Sequence, residues 1–439
     1  MKKIARKIVF SSLSLLSLSF LIAGDVVFSK YRADAIGLLC PPIIDEEYSQ
    51  VSASKGRDLA EKIEEEGIVL VKNDGLLPLS TKKHEAVNLF GFGTVQWIYG
   101  GSGSGRVLPQ SDNYDDNTDF AFAMDDYGID INYDLIDYYQ DYATITHDIN
   151  TLNFNVDESP YSFGLKEPDI HQADYASLLE DSISFSDTAI VTISRQGGES
   201  EDMPTVQYKS KPIETIDNSR HSLEISTEEE DLLNFAQDHF DNVIVIINST
   251  NSFQLDFLAR MDRIDACLLV GATGEHGANA IPKVLYGENT PSGHLADTLP
   301  YDFKENLNYE YTGFESVSFY SDQDLEYGIN QKTNAGVTTR PSLPYIDYVE
   351  GIYVGYRFFE TADAEGAFTT RTREIYDNNN EKKTVTGYDA VVQYPFGYGM
   401  SYTDFSWELV NISLPQDSVI HEDTEITFEV KVTNTGSYA

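Results

Sequence analysis

The chain has 439 residues, 41% hydrophobic and 12% aromatic, enough for a normal core and roughly two or three domains. Acidic residues number 72 against 30 basic ones, a net charge of -42. That charge repels phosphate, so nucleic acid is excluded as a partner, and anionic lipid too except at the extreme N-terminus. Cys40 and Cys267 are the two cysteines, which is no disulfide framework. Cys267 lies in the apolar run Ala266-Cys267-Leu268-Leu269-Val270 and reads as a core thiol. The histidines are scattered, with no metal-ligand spacing, so no metal or other cofactor is expected.

Lys2, Lys3, Arg6 and Lys7 precede an uncharged run over 8–24. This reads as an export signal, with Ala33-Asp34-Ala35 as a late cleavage pattern. Cleaved secretion and a retained anchor that touches the membrane both stay open. Either places the bulk of the chain outside the cytoplasmic membrane.

The pattern over 54–66 is helical, and 67–71 reads as a short strand running into the turn Asn73-Asp74-Gly75. Ala86-Val87-Asn88-Leu89-Phe90 is a second strand. It runs into Gly91-Phe92-Gly93, but Gln96 sits where a dinucleotide fingerprint needs its third glycine. The Gly-Ser loop at 100–105 lets the backbone approach a ligand closely, and no Gly-Lys-Ser/Thr follows it to make a phosphate loop. The region 111–175 is acidic and tyrosine-rich, with a helical stretch over 133–142. Another helix is expected over 172–184.

Thr188-Ala189-Ile190-Val191-Thr192-Ile193 reads as a buried strand, and it breaks into Ser194-Arg195-Gln196-Gly197-Gly198-Glu199-Ser200-Glu201-Asp202. The Gly-Gly pair delivers Glu199 to the carboxyl end of a sheet, where open α/β sheets bind ligands. Arg195, Glu201 and Asp202 crowd it with charge, which suits a general acid of raised pKa. On charge alone, a solvated acidic loop explains the same residues.

After an irregular loop over 203–222, Ser226-Thr227-Glu228-Glu229-Glu230 forms a capping box, pairing Ser226 with Glu229 or Thr227 with Glu230. The helix it opens runs to Phe240, with Leu232, Leu233 and Phe235 inward. Strands at 243–247 and 267–270 and helices at 253–259 and 277–285 follow. This alternation predicts an α/β fold with a parallel sheet. The region 304–390 is loop-rich, and the aromatic runs at 349–359 and 394–402 read as structural corners. From Trp407 the pattern turns to period two, with 426–433 as a strand and Asn434-Thr435-Gly436 as a turn. It reads as the start of a β-sandwich that needs roughly 100 residues, so the chain reads as cut off.

Taken in order, these motifs resemble the C-terminal α/β sandwich domain of glycoside hydrolase family 3, the β-glucosidase family. They are 66–75 (Glu-Gly-Ile-Val-Leu-Val-Lys-Asn-Asp-Gly), 100–105, 194–199, Asn248-Ser249-Thr250, 291–298 and 394–399. The implied organisation is an export segment over 1–50, the sandwich domain over 51–405, and the start of a fibronectin type III-like domain over 406–439. The resemblance implies that Glu199 is the catalytic acid/base, with Glu201 an alternative because Met203 stands where the family has Arg. It also implies that Ser104 reaches the bound sugar, and Arg195 joins it as a candidate substrate-binding residue. The family's nucleophilic Asp lies in a separate (β/α)8 barrel, in a Ser-Asp-Trp-like motif. Here Ser111-Asp112, Ser186-Asp187 and Ser321-Asp322 all lack the Trp. The chain therefore looks like the front half of a permuted member. Its implied partners are an oligosaccharide or β-glucoside and the missing barrel. A competing reading from another class is a non-catalytic extracellular carbohydrate-binding module.

Overall fold

The computed structural model describes residues 46–101, 107, 119–146, 165–198, 203–208, 216–309, 348–413 and 420–438. It also describes short strand pairs within 318–345. The chain divides into two compact units, 1–56 and 57–439, and the sheet and its helical layers belong to the second. The leader over 1–45 lies outside the described residues. No helix among the described residues is long and apolar enough to cross a membrane.

In chain order the main elements are α1 (Glu46–Gly67), β1 (Val69–Asn73), β2 (Ala86–Phe90), α2 (Phe120–Asp126), β3 (Asp130–Ile131), α3 (Tyr133–Thr146) and α4 (Ala173–Ser182). Then come β4 (Thr188–Arg195), α5 (Thr227–His239), β5 (Asn242–Ser249), α6 (Phe257–Arg260), β6 (Ala266–Leu269) and α7 (Ala280–Leu285). The strands form a six-stranded sheet in the order β1-β6-β5-β4-β2-β3. All neighbours pair parallel except β1, which lies antiparallel on β6. The parallel sheet read from the sequence is present, with this one antiparallel edge strand, a common arrangement in sheets of this kind.

The unbroken apolar runs of β4 and β5 have a structural cause. Successive side chains point to opposite faces, and both faces are covered. Val191, Ile193, Val245 and Ile247 join one core with Leu179 of α4, Leu232, Leu233 and Ala236 of α5, and Phe257 of α6. Ile190, Ile244 and Ile246 join a second core with Phe120 and Met124 of α2 and Ile281 and Leu285 of α7. The result is a helix–sheet–helix sandwich.

The N-terminus of α5 settles the capping alternative. Glu229 N–H donates to the Ser226 hydroxyl at 3.1 Å, and Ser226 N–H donates to Glu229 Oε2 at 2.7 Å. The helix expected over 253–259 forms only as the single turn of α6. Gln254 is the reason: its N–H donates to the Leu223 carbonyl, and its side-chain oxygen accepts from Phe303 N–H. These long-range bonds compete with a local helix. The loop-rich reading of 304–390 is corrected by a helix at Tyr356–Ala364 and an antiparallel hairpin of Thr372–Tyr376 with Lys382–Thr386. Gly355 starts that helix at φ 59°, so its aromatic sequence masks a helical start. The period-two tail forms an antiparallel ribbon, Phe405–Ser413 with Thr427–Asn434, exposed along both strands.

Candidate active site

The carboxyl ends of β2, β4, β5 and β6 lie side by side, and the loops that leave them are tied together. Asn248, fully buried near the end of β5, is the central tie. Its Oδ1 accepts from Ile98 N–H at 2.7 Å, and its Nδ2 donates to the Ile98 carbonyl at 3.1 Å and the Gly271 carbonyl at 2.6 Å. One amide thus joins the loops after β2 and β6 to β5. Trp97 adds a second tie, its Nε1 donating to Thr273 Oγ1 at 2.8 Å. Gly274 N–H reaches the Tyr99 carbonyl at 2.8 Å.

The loop after β4 docks on the same frame. Gln196 Nε2 donates to the Gly100 carbonyl at 3.0 Å. Gly197 N–H donates to Thr250 Oγ1 at 2.7 Å, and that hydroxyl donates back to the Gly197 carbonyl at 3.1 Å. A Cβ at Gly197 would meet Asn251 Nδ2 at 2.3 Å, and one at Gly101 would meet the Gly197 carbonyl at 3.2 Å. A side chain at 197 would therefore require the Asn251 amide to move aside. The stem of the Gly-Ser loop and the stem of the Gly-Gly-Glu loop are therefore in contact. Ser104, Glu199, Glu201 and Asp202 themselves lie outside the described residues.

Arg195 is brought to the same edge but is turned into the protein. It is 4% exposed, and all its N–H donors are engaged. Nε donates to the Ser222 carbonyl at 2.6 Å, and the terminal nitrogens reach the Ser194 and Glu224 carbonyls. The same nitrogens form a two-point pair with Glu229 at 2.7 and 2.6 Å. Phe253 lies under its guanidinium at 5.2 Å. Glu229 thereby serves two ends, capping α5 and holding the last residue of β4.

Residues 68–356 match the family described as the glycosyl hydrolase family 3 C-terminal domain. The chain belongs to this family. It is 28% identical over 392 residues to β-glucosidase A of Butyrivibrio fibrisolvens, covering 84% of this chain and 39% of that protein. It is 26% identical over 351 residues to a β-glucosidase of Ruminococcus albus, covering 79% of this chain and 28% of that one. The chain thus spans well under half the length of either relative. In fold it is similar to a β-glucosidase of Paenibacillus barengoltzii, with a TM-score of 0.58 and 24% identity, over 87% of this chain and 33% of that one. It is equally similar to β-glucosidase 3B of Thermotoga neapolitana in complex with glucose, with a TM-score of 0.58, over 87% of this chain and 42% of that one.

The family 3 edge contains groups that the motifs do not reveal. Gln196 and Thr250 stand inside two of them, but their bonding partners are remote in sequence. Glu167 is a clearer omission. Its Oε2 accepts from Phe92 N–H at 2.7 Å, at the start of the loop after β2. Its Oε1 accepts from the Tyr175 hydroxyl at 3.3 Å, and that hydroxyl lies 2.5 Å from the Tyr139 hydroxyl. Tyr139 in turn accepts from Gly91 N–H at 2.8 Å. Nothing local marks this carboxyl as special, since the region is acidic throughout.

Burial pushes the Glu167 carboxyl from 4.5 up to about 8, against the Phe92 hydrogen bond and with help from the Glu229 charge. The folded state then holds a proton that the unfolded chain loses near pH 4.5. Stability from this group is complete below pH 4.5 and is lost as pH rises through about 8. The loss amounts to at most about 1.4 kcal/mol per pH unit within that window. Glu167→Gln keeps the acceptor for Phe92 and cannot ionise. Urea denaturation at steps between pH 5 and 8 is expected to show a shallower decline for the variant than for the parent. Parallel declines would assign the proton elsewhere.

Proposed function

We propose that the chain is the acid/base-bearing part of a retaining β-glucosidase that acts outside the cytoplasmic membrane. The observation that supports this most directly is the contact between Gly101 and Gly197, which joins the stems of the Ser104 and Glu199 loops. A Ser that binds the glucosyl unit and a carboxyl that serves its leaving group must face one cavity, and those stems start from one point. Membership in family 3 and the likeness to named β-glucosidases supply the reaction class.

In the proposed cycle, Glu199 protonates the glycosidic oxygen as the C1–O bond breaks and a carboxylate bonds to C1. Glu199, now ionised, takes a proton from water. The water oxygen attacks C1 and displaces that carboxylate, which regenerates both groups. The two carboxyls work about 5–5.5 Å apart in such a mechanism. We assign the nucleophile to a (β/α)8 barrel outside these residues. Arg195 acts by positioning rather than by touching sugar, because its donors are spent on β4, Glu229 and the 222–224 segment. The exposed tail ribbon fits the first strands of a fibronectin type III-like domain, and the basic leader fits export.

The test uses p-nitrophenyl β-glucoside. The 439-residue chain alone is expected to show no turnover, and the chain joined to a barrel with the Asp nucleophile is expected to release β-glucose first, read by proton NMR. Substantial turnover by the chain alone removes the need for the barrel. α-Glucose as the first product removes the retaining mechanism. Saturable glucoside binding without turnover in the joined protein would favour a binding module.

A further inference from the structure

A cavity of about 370 Å³ lies away from the carboxyl-edge loops. It opens beside Lys72 of β1, which pairs with Cys267 at the start of β6, whereas the catalytic-edge loops leave the strand ends. Its wall combines Lys72, Leu258 and Tyr301 with the hairpin that begins at Thr372 and with Gln393 and Tyr398. The hairpin lies beyond the family match, which ends at 356, and it closes the cavity on that side.

The polar groups on this wall are built in and incompletely used. Lys72 is 1% exposed. Its ammonium donates to Asn380 Oδ1 at 2.7 Å, and its other donors have no hydrogen-bond partner among the described residues. Leaving a buried ammonium so thinly bonded is costly. Burial holds the Lys72 pKa below its usual value, and the charges of Asp74, Asp265 and Asp377 oppose that shift only in part. Asn380 sits at φ 58°, and its Nδ2 donates to Asp74, so the hairpin tip is fastened to β1. Gln393 donates to the Leu255 carbonyl at 2.8 Å, while its Oε1 is buried and has no partner among the described residues. Asn378 donates to the Tyr398 hydroxyl at 3.1 Å, which leaves its carbonyl oxygen as an acceptor.

Charge and shape narrow the ligand. Lys72 and Lys383 are balanced on the wall by Asp377 and Asp389, so an anion gains little there. Tyrosine rings and the aliphatic Ile375 and Val385 alternate with amides and charges. That mixture suits a molecule with C–H faces and a rim of hydroxyls. The volume lies within the range of small-molecule sites. We propose that this cavity binds a neutral polyhydroxylated ligand, a mono- or disaccharide, independently of the catalytic edge.

The experiment titrates glucose, cellobiose and inorganic phosphate separately into the 439-residue chain by calorimetry and saturation-transfer NMR. Saturable millimolar binding of one sugar is expected. Lys72→Met and Gln393→Leu should each weaken it about tenfold, as should Asn378→Ala. Ser104→Ala and Glu199→Gln should leave it unchanged. Should Lys72→Met fail to fold, Asn378→Ala still decides the matter, because it leaves the sheet intact and removes only the Asn378 bonds to Tyr398 and Met400. No saturable binding by either sugar overturns the proposal, as does binding of phosphate only. Sugar binding that survives the cavity variants also overturns it, and if Ser104→Ala abolishes that binding, the catalytic-edge reading stands without this one.

Discussion

Glu199→Gln is expected to lower kcat by about 10²–10⁴-fold in an enzyme that carries both this chain and the nucleophile. Glutamine matches glutamate in shape but has no proton to give and no base to take one. The loss should be greatest for a sugar leaving group, which needs the proton, and smaller in the bond-breaking step for p-nitrophenol, which leaves as an anion. The second step, attack by water, should then limit the aryl substrate. Added azide needs no general base and should restore aryl turnover, with a β-glucosyl azide as product. Glu201→Gln is the control, since Glu201 stands two residues further along a loop whose stem is fastened at Gln196 and Gly197. Full activity in Glu199→Gln with loss in Glu201→Gln would move the role to Glu201. Full activity in both would end the assignment to this loop.

Arg195→Met is expected to destabilise the domain by about 3–5 kcal/mol, read by urea denaturation of the 439-residue chain. The size comes from what is left behind. Glu229 is nearly enclosed, with 9% of its side chain exposed, and it would keep its charge without the two-point partner. Carbonyls of Ser222 and Glu224 would lose their donors as well. Arg195→Lys should recover little, because one ammonium cannot span both carboxylate oxygens and both carbonyls. Arg195→Met combined with Glu229→Gln should be less damaging than the sum of the two changes, since it removes the stranded charge while keeping an oxygen for the Ser226 cap. A loss below about 1 kcal/mol for Arg195→Met would show the pair to be no more than a surface bridge.

These two residues show how far local reading reaches. Glu199 and Arg195 stand four positions apart in one charged loop, and the sequence treats them alike. The structure turns Arg195 inward, because Glu229 of α5 meets it at the end of β4. Helix α5 was legible through its capping box, whose bonds are local, down to two alternative pairs one residue apart. Its second task, holding Arg195, was not, since the partners lie 34 residues apart. The Asn248 tie was legible only as a polar residue after an apolar strand. The helix at Tyr356–Ala364 was missed because its aromatic spacing reads equally well as a corner.

Local pattern was enough for the family and the α/β class. Those follow from short-range facts: apolar runs long enough for two buried faces, glycines at the strand exits, and a cap three residues deep. Packing in three dimensions was needed to turn particular charged side chains inward, to make Glu167 a proton-holding carboxyl, and to close a cavity on Lys72 with a hairpin beyond the family match. Desolvation and hydrogen bonding between distant segments set those outcomes, and neither leaves a periodic trace in the chain.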